Sequence, residues 1–234
     1  MGLSNLNVWL AANQDAIGKV VDFNPSADQL YPFDFTAANT ALTAEMLADT
    51  ACFSTWIEQQ LFQSNSRYGI GGYNEHRTIY TRSAHFDTEE EPRRLHLGTD
   101  IWGPAGTFVY NFQEAEVHSF QNNDHFGDYG ATIILKYNLE GNTLYALYGH
   151  LSLDSLDGLY QGKVIDQGAA FAKFGVPAEN GNWPAHLHFQ LIFDMRGKFG
   201  DYPGVCQFSK RARYLSNCPD PELILNHTFK ISAG

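Results

Sequence analysis

Three short stretches of this chain combine residue types and spacings that could do chemistry: His96-Leu97-Gly98-Thr99-Asp100, Tyr148-Gly149-His150-Leu151 and His186-Leu187-His188-Phe189-Gln190. In an extended segment, side chains two apart point the same way. His186 and His188 therefore share one face of a strand, while Leu187 and Phe189 fill the other. Gly98, with the Ile101-Trp102-Gly103-Pro104 run that follows Asp100, argues against a helix and for a strand or tight loop. An imidazole and a carboxylate brought together there can hold one cation. Imidazole nitrogen and carboxylate oxygen suit zinc, and a catalytic zinc typically has three protein ligands and a fourth position for water. Four histidines and one aspartate exceed three ligands. Some of the five must serve elsewhere, in proton transfer or in stabilising an oxyanion.

In this order and separation the motifs resemble the lysostaphin-type (LytM-like) zinc metallopeptidases, a glycyl-glycine endopeptidase-like group whose pattern is H-x-x-x-D, then Y-x-H-L, then H-x-H. The resemblance spans Arg94 to Asp194 and takes in Gly106 with Val109, Thr132 to Leu135, Leu144 to Leu147 and Gly168. It implies a zinc ion (Zn2+) bound by His96, Asp100 and His188. His186 would then be the general base toward the attacking water, and His150 would help to stabilise the tetrahedral intermediate. The implied activity is hydrolysis of a peptide bond in a peptidoglycan stem or cross-bridge, or in a small glycine-rich peptide. The sequence departs from the family pattern at three places. Gln190 stands where glutamate often follows, Ala185 precedes His186 where proline is common, and Glu116 interrupts a turn that usually carries glycine. The stretches Gly181 to His188, Asp201 to Val205 and Cys218 to Pro221 are similar to a second branch. There a peptidase-like module sits beside an aminotransferase-type domain in larger cytosolic chains.

The elements that must position these residues follow from periodicity. The distribution of apolar residues predicts helices over Leu6 to Ile17 and Ala41 to Phe62, joined by a turn-rich aromatic loop through Tyr31 to Phe35. Beyond Gly69-Ile70-Gly71-Gly72 the texture changes to short β-like runs: His76 to Tyr80, Gly106 to Phe112, Ala115 to Phe120, Thr132 to Tyr137, Thr143 to Tyr148 and Leu187 to Phe193. Glu140-Gly141-Asn142 reads as a hairpin turn. The expected fold is mainly β, an antiparallel sheet or sandwich core, and the resemblance implies the duplicated hybrid motif type. Residues 1–75 read as a helical N-terminal extension, 76–200 as the metallopeptidase β domain and 201–234 as a C-terminal tail packed on the core. The aromatic loop, or Asn74-Glu75, could also fold over the groove and restrain the enzyme.

A chain of 234 residues, 44% hydrophobic and 18% charged, can bury a proper core without crosslinks. The formal charge of −11 argues against nucleic-acid and anionic-membrane partners. No run reaches membrane-spanning length. The N-terminus lacks the basic and apolar regions of a signal peptide, so a cytoplasmic protein is expected, or a periplasmic or secreted one if a leader has been removed. The partner expected is a peptide or a peptidoglycan-like substrate, and oligomeric state is open. Cys52, Cys206 and Cys218 form no C-x-x-C pair. Cys206 and Cys218 could bridge, but free thiols are the preferred reading.

Taken singly, each motif is better explained by surface or core histidines. Taken together in order, they favour a site. His76, His85, His118, His125 and His227 lack motif context and are expected to be surface or hydrogen-bonded residues. Asp87 to Glu91 reads as a solvated loop, and Tyr148 and Trp183 as packing residues. The alternative function is a binding or regulatory module on the same fold, cytosolic and linked to amino-acid or amine metabolism.

Overall fold

The computed structural model describes residues 2–87 and 90–230. Helix α1 (Leu3–Ala12) buries Leu6, Trp9 and Leu10, and ends where Asn13 turns its side chain back to the Trp9 carbonyl. It is shorter than the predicted Leu6 to Ile17, the remainder being a 3-10 turn at Gln14–Ala16. Strand β1 (Leu30–Phe33) lies where a loop is predicted. The single helix expected over Ala41 to Phe62 is two, α2 (Ala44–Ala48) and α3 (Thr50–Gln63). Each has its own cap: Thr43 Oγ1 accepts from Met46 N, and Asp49 Oδ1 accepts from Ala51 N and Cys52 N. Phe53, Ile57 and Leu61, spaced at i, i+4 and i+8, form the buried stripe of α3.

Strand β2 (Tyr68–Gly71) runs parallel to β1, with the two helices forming the crossover that a parallel pair requires. It then pairs antiparallel with β4 (Thr99–Trp102), which follows the two-residue β3 (Leu95–His96). The chain continues through β5 (Phe108–Tyr110), β6 (Ala115–Asn123), β7 (Gly130–Leu139), β8 (Asn142–Leu151), β9 (Val164–Ile165), β10 (Ala170–Lys173), β11 (His186–Ile192) and β12 (Val205–Cys206), and closes on α4 (Arg211–Leu215) and α5 (Glu222–Phe229). Eight strands form the main sheet in the order β1-β2-β4-β11-β8-β7-β6-β9, and β5 with β10 and β3 with β12 form small ladders.

The fold is mainly β, as expected, and antiparallel except for the β1–β2 edge. Residues 30–33 and 68–71, read from sequence as part of an extension, are hydrogen-bonded into the sheet. His76 to Tyr80 is not a strand: His76 makes one isolated bridge to Leu95, and Ile79–Arg82 is a 3-10 turn. The alternation expected of the sheet is clearest in β11, whose seven residues are all buried. Leu187, Phe189 and Leu191 join the largest apolar cluster on one face. His186, His188 and Gln190 occupy the other.

Candidate metal centre and active site

Register brings the motifs together. Across β4 and β11, Asp100 stands opposite His188 and Trp102 opposite His186, while on the other side His188 faces Gly149 of β8. His96 arrives from β3, one tight turn ahead of β4. Gly98 in that turn must lack a side chain, because a Cβ there would lie 2.6 Å from the His188 ring. The glycine inside H-x-x-x-D thus lets one histidine approach the other.

His96 Nε2 lies 2.9 Å from His188 Nδ1 and 3.3 Å from Asp100 Oδ1, and His188 Nδ1 lies 3.1 Å from the same oxygen. All three residues are buried, and they form the one group among the described residues whose donor atoms converge closely enough to hold a metal ion. The remaining atom of each is held from outside. His96 Nδ1 donates to the Gly72 carbonyl at 3.0 Å, and His188 Nε2 donates to Gln190 Oε1 at 2.9 Å. Arg77 donates to Asp100 Oδ2. Each imidazole therefore turns an unprotonated nitrogen toward the shared point. Two neutral imidazoles and a carboxylate oriented by outer hydrogen bonds are a donor set that fits zinc. Gln190, the departure from the family pattern, also donates its amide N–H to the Pro203 carbonyl at 3.1 Å. Glutamate has no N–H to donate there.

His150 and His186 sit beside this group, with ring centroids 4.1 Å apart. His150 Nδ1 donates to the Asn180 carbonyl at 2.8 Å, and His186 Nδ1 donates to the Pro184 carbonyl at 2.7 Å. Both Nε2 atoms are left as lone-pair bearers. The backbone of His150 is left-handed, φ 61°. That conformation is uncommon outside glycine and is held here by bonds from His150 N to the Tyr129 carbonyl and from Gly175 N to the His150 carbonyl, each 2.9 Å. Trp102 stacks on His186 at 3.9 Å between centroids and 13° between planes.

Burial keeps these rings neutral. It pushes His186 down to about 4 and His96 to about 3, and holds His150 well below the usual imidazole range, with the neighbouring histidines adding to the effect at His150. Burial opposes ionisation of Asp100, but its neighbours His96 and Arg77 outweigh it and hold the carboxyl well below the usual carboxylate range. Arg77 is the partner that stays charged.

Asp100, His150, His186 and His188 border a cavity of about 230 Å³ whose walls include Tyr80, Phe86 and Trp183. Trp183 packs as expected yet also faces this space. His85, expected to be an ordinary surface histidine, borders it too, with Nε2 4.0 Å from Asp128. Tyr148 is a packing residue, its hydroxyl bonded to Tyr137. The aromatic loop does not cover the cavity: Phe33 and Phe35 pack behind Trp102. Asp87 pairs with Arg94, and Glu91 accepts from Ser209 N; Thr88 and Glu89 lie outside the described residues. Cys206 and Cys218 are free thiols that burial pushes up to about 12.

Sequence reasoning missed Arg77, Gly72 and Trp102 as parts of the site, and it read Glu75 as folding over the groove where instead it holds Arg77. The signals available were the charged pair Glu75-x-Arg77 just ahead of the first motif and the glycines at 71 and 72.

Residues 94–198 match the profile of peptidase family M23. The likeness to that family is confined to this span, which holds all five motif residues and stops short of both ends of the chain. No sequence among curated proteins matches significantly. Similar solved structures include a zinc-containing peptidase from Vibrio cholerae, at 24% identity over 42% of this chain and 27% of that one, with a TM-score of 0.33. The catalytic domain of the prophage-encoded M23 protein EnpA from Enterococcus faecalis is 21% identical over 47% of this chain and 79% of that one, with a TM-score of 0.36. The catalytic domain of the antimicrobial peptidase lysostaphin from Staphylococcus simulans is 18% identical over 70% of this chain and 98% of that one, with a TM-score of 0.41. The chain spans about a quarter of the length of the Vibrio protein. No helix among its described residues is long and apolar enough to cross a membrane.

Proposed function

We propose that the chain is a zinc-dependent endopeptidase acting on a peptide bond of a peptidoglycan stem or cross-bridge, or of a small glycine-rich peptide. The observation that carries this reading is the separation of two jobs at one cavity. His96, Asp100 and His188 converge on a point, while His150 and His186 stand beside it with free Nε2 atoms. Zinc held by the first three would supply a Lewis acid that polarises the scissile carbonyl and acidifies the attacking water.

The two assisting imidazoles are not equivalent in what they need. His186, with its N–H committed to the Pro184 carbonyl and its ring fixed against Trp102, is set to take a proton at Nε2 from the attacking water and return it to the leaving amine. His150 presents Nε2 to the same space while its other nitrogen donates to the Asn180 carbonyl, and a proton taken up there from solvent would let it hydrogen-bond an oxyanion. A developing negative charge on the substrate is what makes that proton favourable. The cavity rim offers Arg93 and Lys198 against Asp128 and Asp201, which suits a peptide bearing charges of both signs.

The reading is tested by incubating zinc-loaded protein with pentaglycine and with purified muropeptides and following new amino termini. Turnover by the wild type, lost in His186→Ala with zinc retained, is the expected result. Equal turnover by His186→Ala removes the base assignment. The alternative, a binding or regulatory module, has no observation in its favour, since every motif residue is present.

A further inference from the structure

The geometry points to Arg77 as a positioning residue for the metal, with Glu75 as its charge balance, an inference that rests on the zinc reading above. Arg77 is 0% exposed. Its Nη1 donates to Asp100 Oδ2 at 2.5 Å and to the Tyr80 hydroxyl at 3.3 Å, its Nε donates to Glu75 Oε2 at 2.6 Å, and its Nη2 donates to the Gly72 carbonyl at 3.3 Å. The other oxygen of Glu75 accepts from Phe35 N at 3.2 Å. A chain of bonds thus runs from Phe35, two residues past β1, through Glu75 and Arg77 to the carboxylate that faces His96 and His188.

The backbone fixes this chain in place. Asn74 N donates to the His96 carbonyl, His96 N to the Glu75 carbonyl and Arg77 N to the Arg94 carbonyl, each at 2.9 Å. Gly71 lies opposite Asp100 across β2 and β4, and a Cβ on it would stand 2.9 Å from Arg77 Nη2. The guanidinium reaches Asp100 across a strand position where a side chain would crowd it.

Two consequences follow for the ion. With Oδ2 held by Arg77, Asp100 offers the metal Oδ1 alone, which keeps it a one-oxygen ligand and leaves room at the cation for substrate. Arg77 and Glu75 cancel in charge, so the cation meets the single negative charge of Asp100 rather than a neutralised one. The residue is therefore needed for how the carboxylate is presented, and its partner for how strongly.

The test measures zinc affinity by chelator competition and the visible spectrum of the cobalt-substituted protein. The paired variant Arg77→Gln/Glu75→Gln removes one charge of each sign, so a change reports orientation. Affinity is expected to fall roughly 10–100-fold, the usual consequence of losing an outer-shell partner, and the cobalt band is expected to weaken as the second carboxylate oxygen enters the coordination. Glu75→Gln alone leaves Arg77 uncompensated. It is expected to weaken zinc binding while leaving the cobalt band unchanged. Zinc held by the paired variant within about threefold of wild type, well short of that loss, with an unaltered cobalt spectrum overturns the proposal. If the paired variant does not fold, Glu75→Gln decides, and binding as tight as wild type or tighter overturns it. A wild-type protein that binds no zinc defeats the zinc reading itself, a result distinct from either.

Discussion

Residues 94–198 and the preceding residues 30–86 contribute to one site in different ways. The first region supplies the five motif residues gathered at the cavity: His96, Asp100, His150, His186 and His188. The second supplies the groups that orient them. Gly72 fixes the tautomer of His96, Arg77 holds the outer oxygen of Asp100, and Phe33 and Phe35 back the indole that stacks on His186. Reactive groups are announced by residue type and spacing. The groups that aim them are ordinary residues on a neighbouring strand and loop, and only the folded chain shows what they aim.

The comparison can be broken by removing one group from each side. The largest effect is expected for Asp100→Ala. It removes a ligand and leaves the fully buried Arg77 facing Glu75 alone, so zinc content should fall to near zero and turnover by at least about 10³-fold. His186→Ala is expected to lower kcat by roughly 10²–10⁴-fold with zinc content unchanged, which separates base from ligand. Phe35→Ala, on the orienting side, opens a cavity beneath Trp102. It is expected to lower stability by about 3–5 kcal/mol by denaturant titration, with kcat reduced as the His186 ring loses its support. If activity per folded molecule is untouched, the N-terminal region only stabilises.

How much was legible follows the same line. The β runs read between residues 106 and 193 were found because strand-forming residues cluster there between turn signals and, in His186 to Leu191, polar and apolar residues alternate, whereas the short β9 and β10 were missed. The strand at Leu30–Phe33 was read as a loop because it is four residues long, contains Pro32 and sits at the sheet edge, where proline is tolerated. The split between α2 and α3 depends on Asp49 acting as a cap, a role that a window average over apolar residues does not weigh. His76 to Tyr80 has strand-like composition, but Arg77 is drawn inward to Asp100 and the chain turns after it.

Acid supplies a gentler test of the buried imidazoles. Their folded values lie below the unfolded value of about 6.5, reaching about 4 at His186 and about 3 at His96. As pH falls through 6.5 the unfolded chain takes up protons first, so the metal-free protein should lose stability progressively from there down to about 3, measured as a falling Tm. A Tm flat between pH 7 and 4, inside that window of imidazole titration, contradicts neutral burial of these rings. The smallest effect is expected for Gln190→Glu, which loses the bond to the Pro203 carbonyl and should cost about 1–3 kcal/mol with the zinc retained.

The most direct measurement is the zinc content of purified protein beside that of His96→Ala/Asp100→Ala, by elemental analysis. About one zinc per chain in the wild type, as a single three-ligand site holds, and close to none in the variant is the expected result. The same content in both, or none in the wild type after dialysis against zinc, contradicts a metal centre built from these residues.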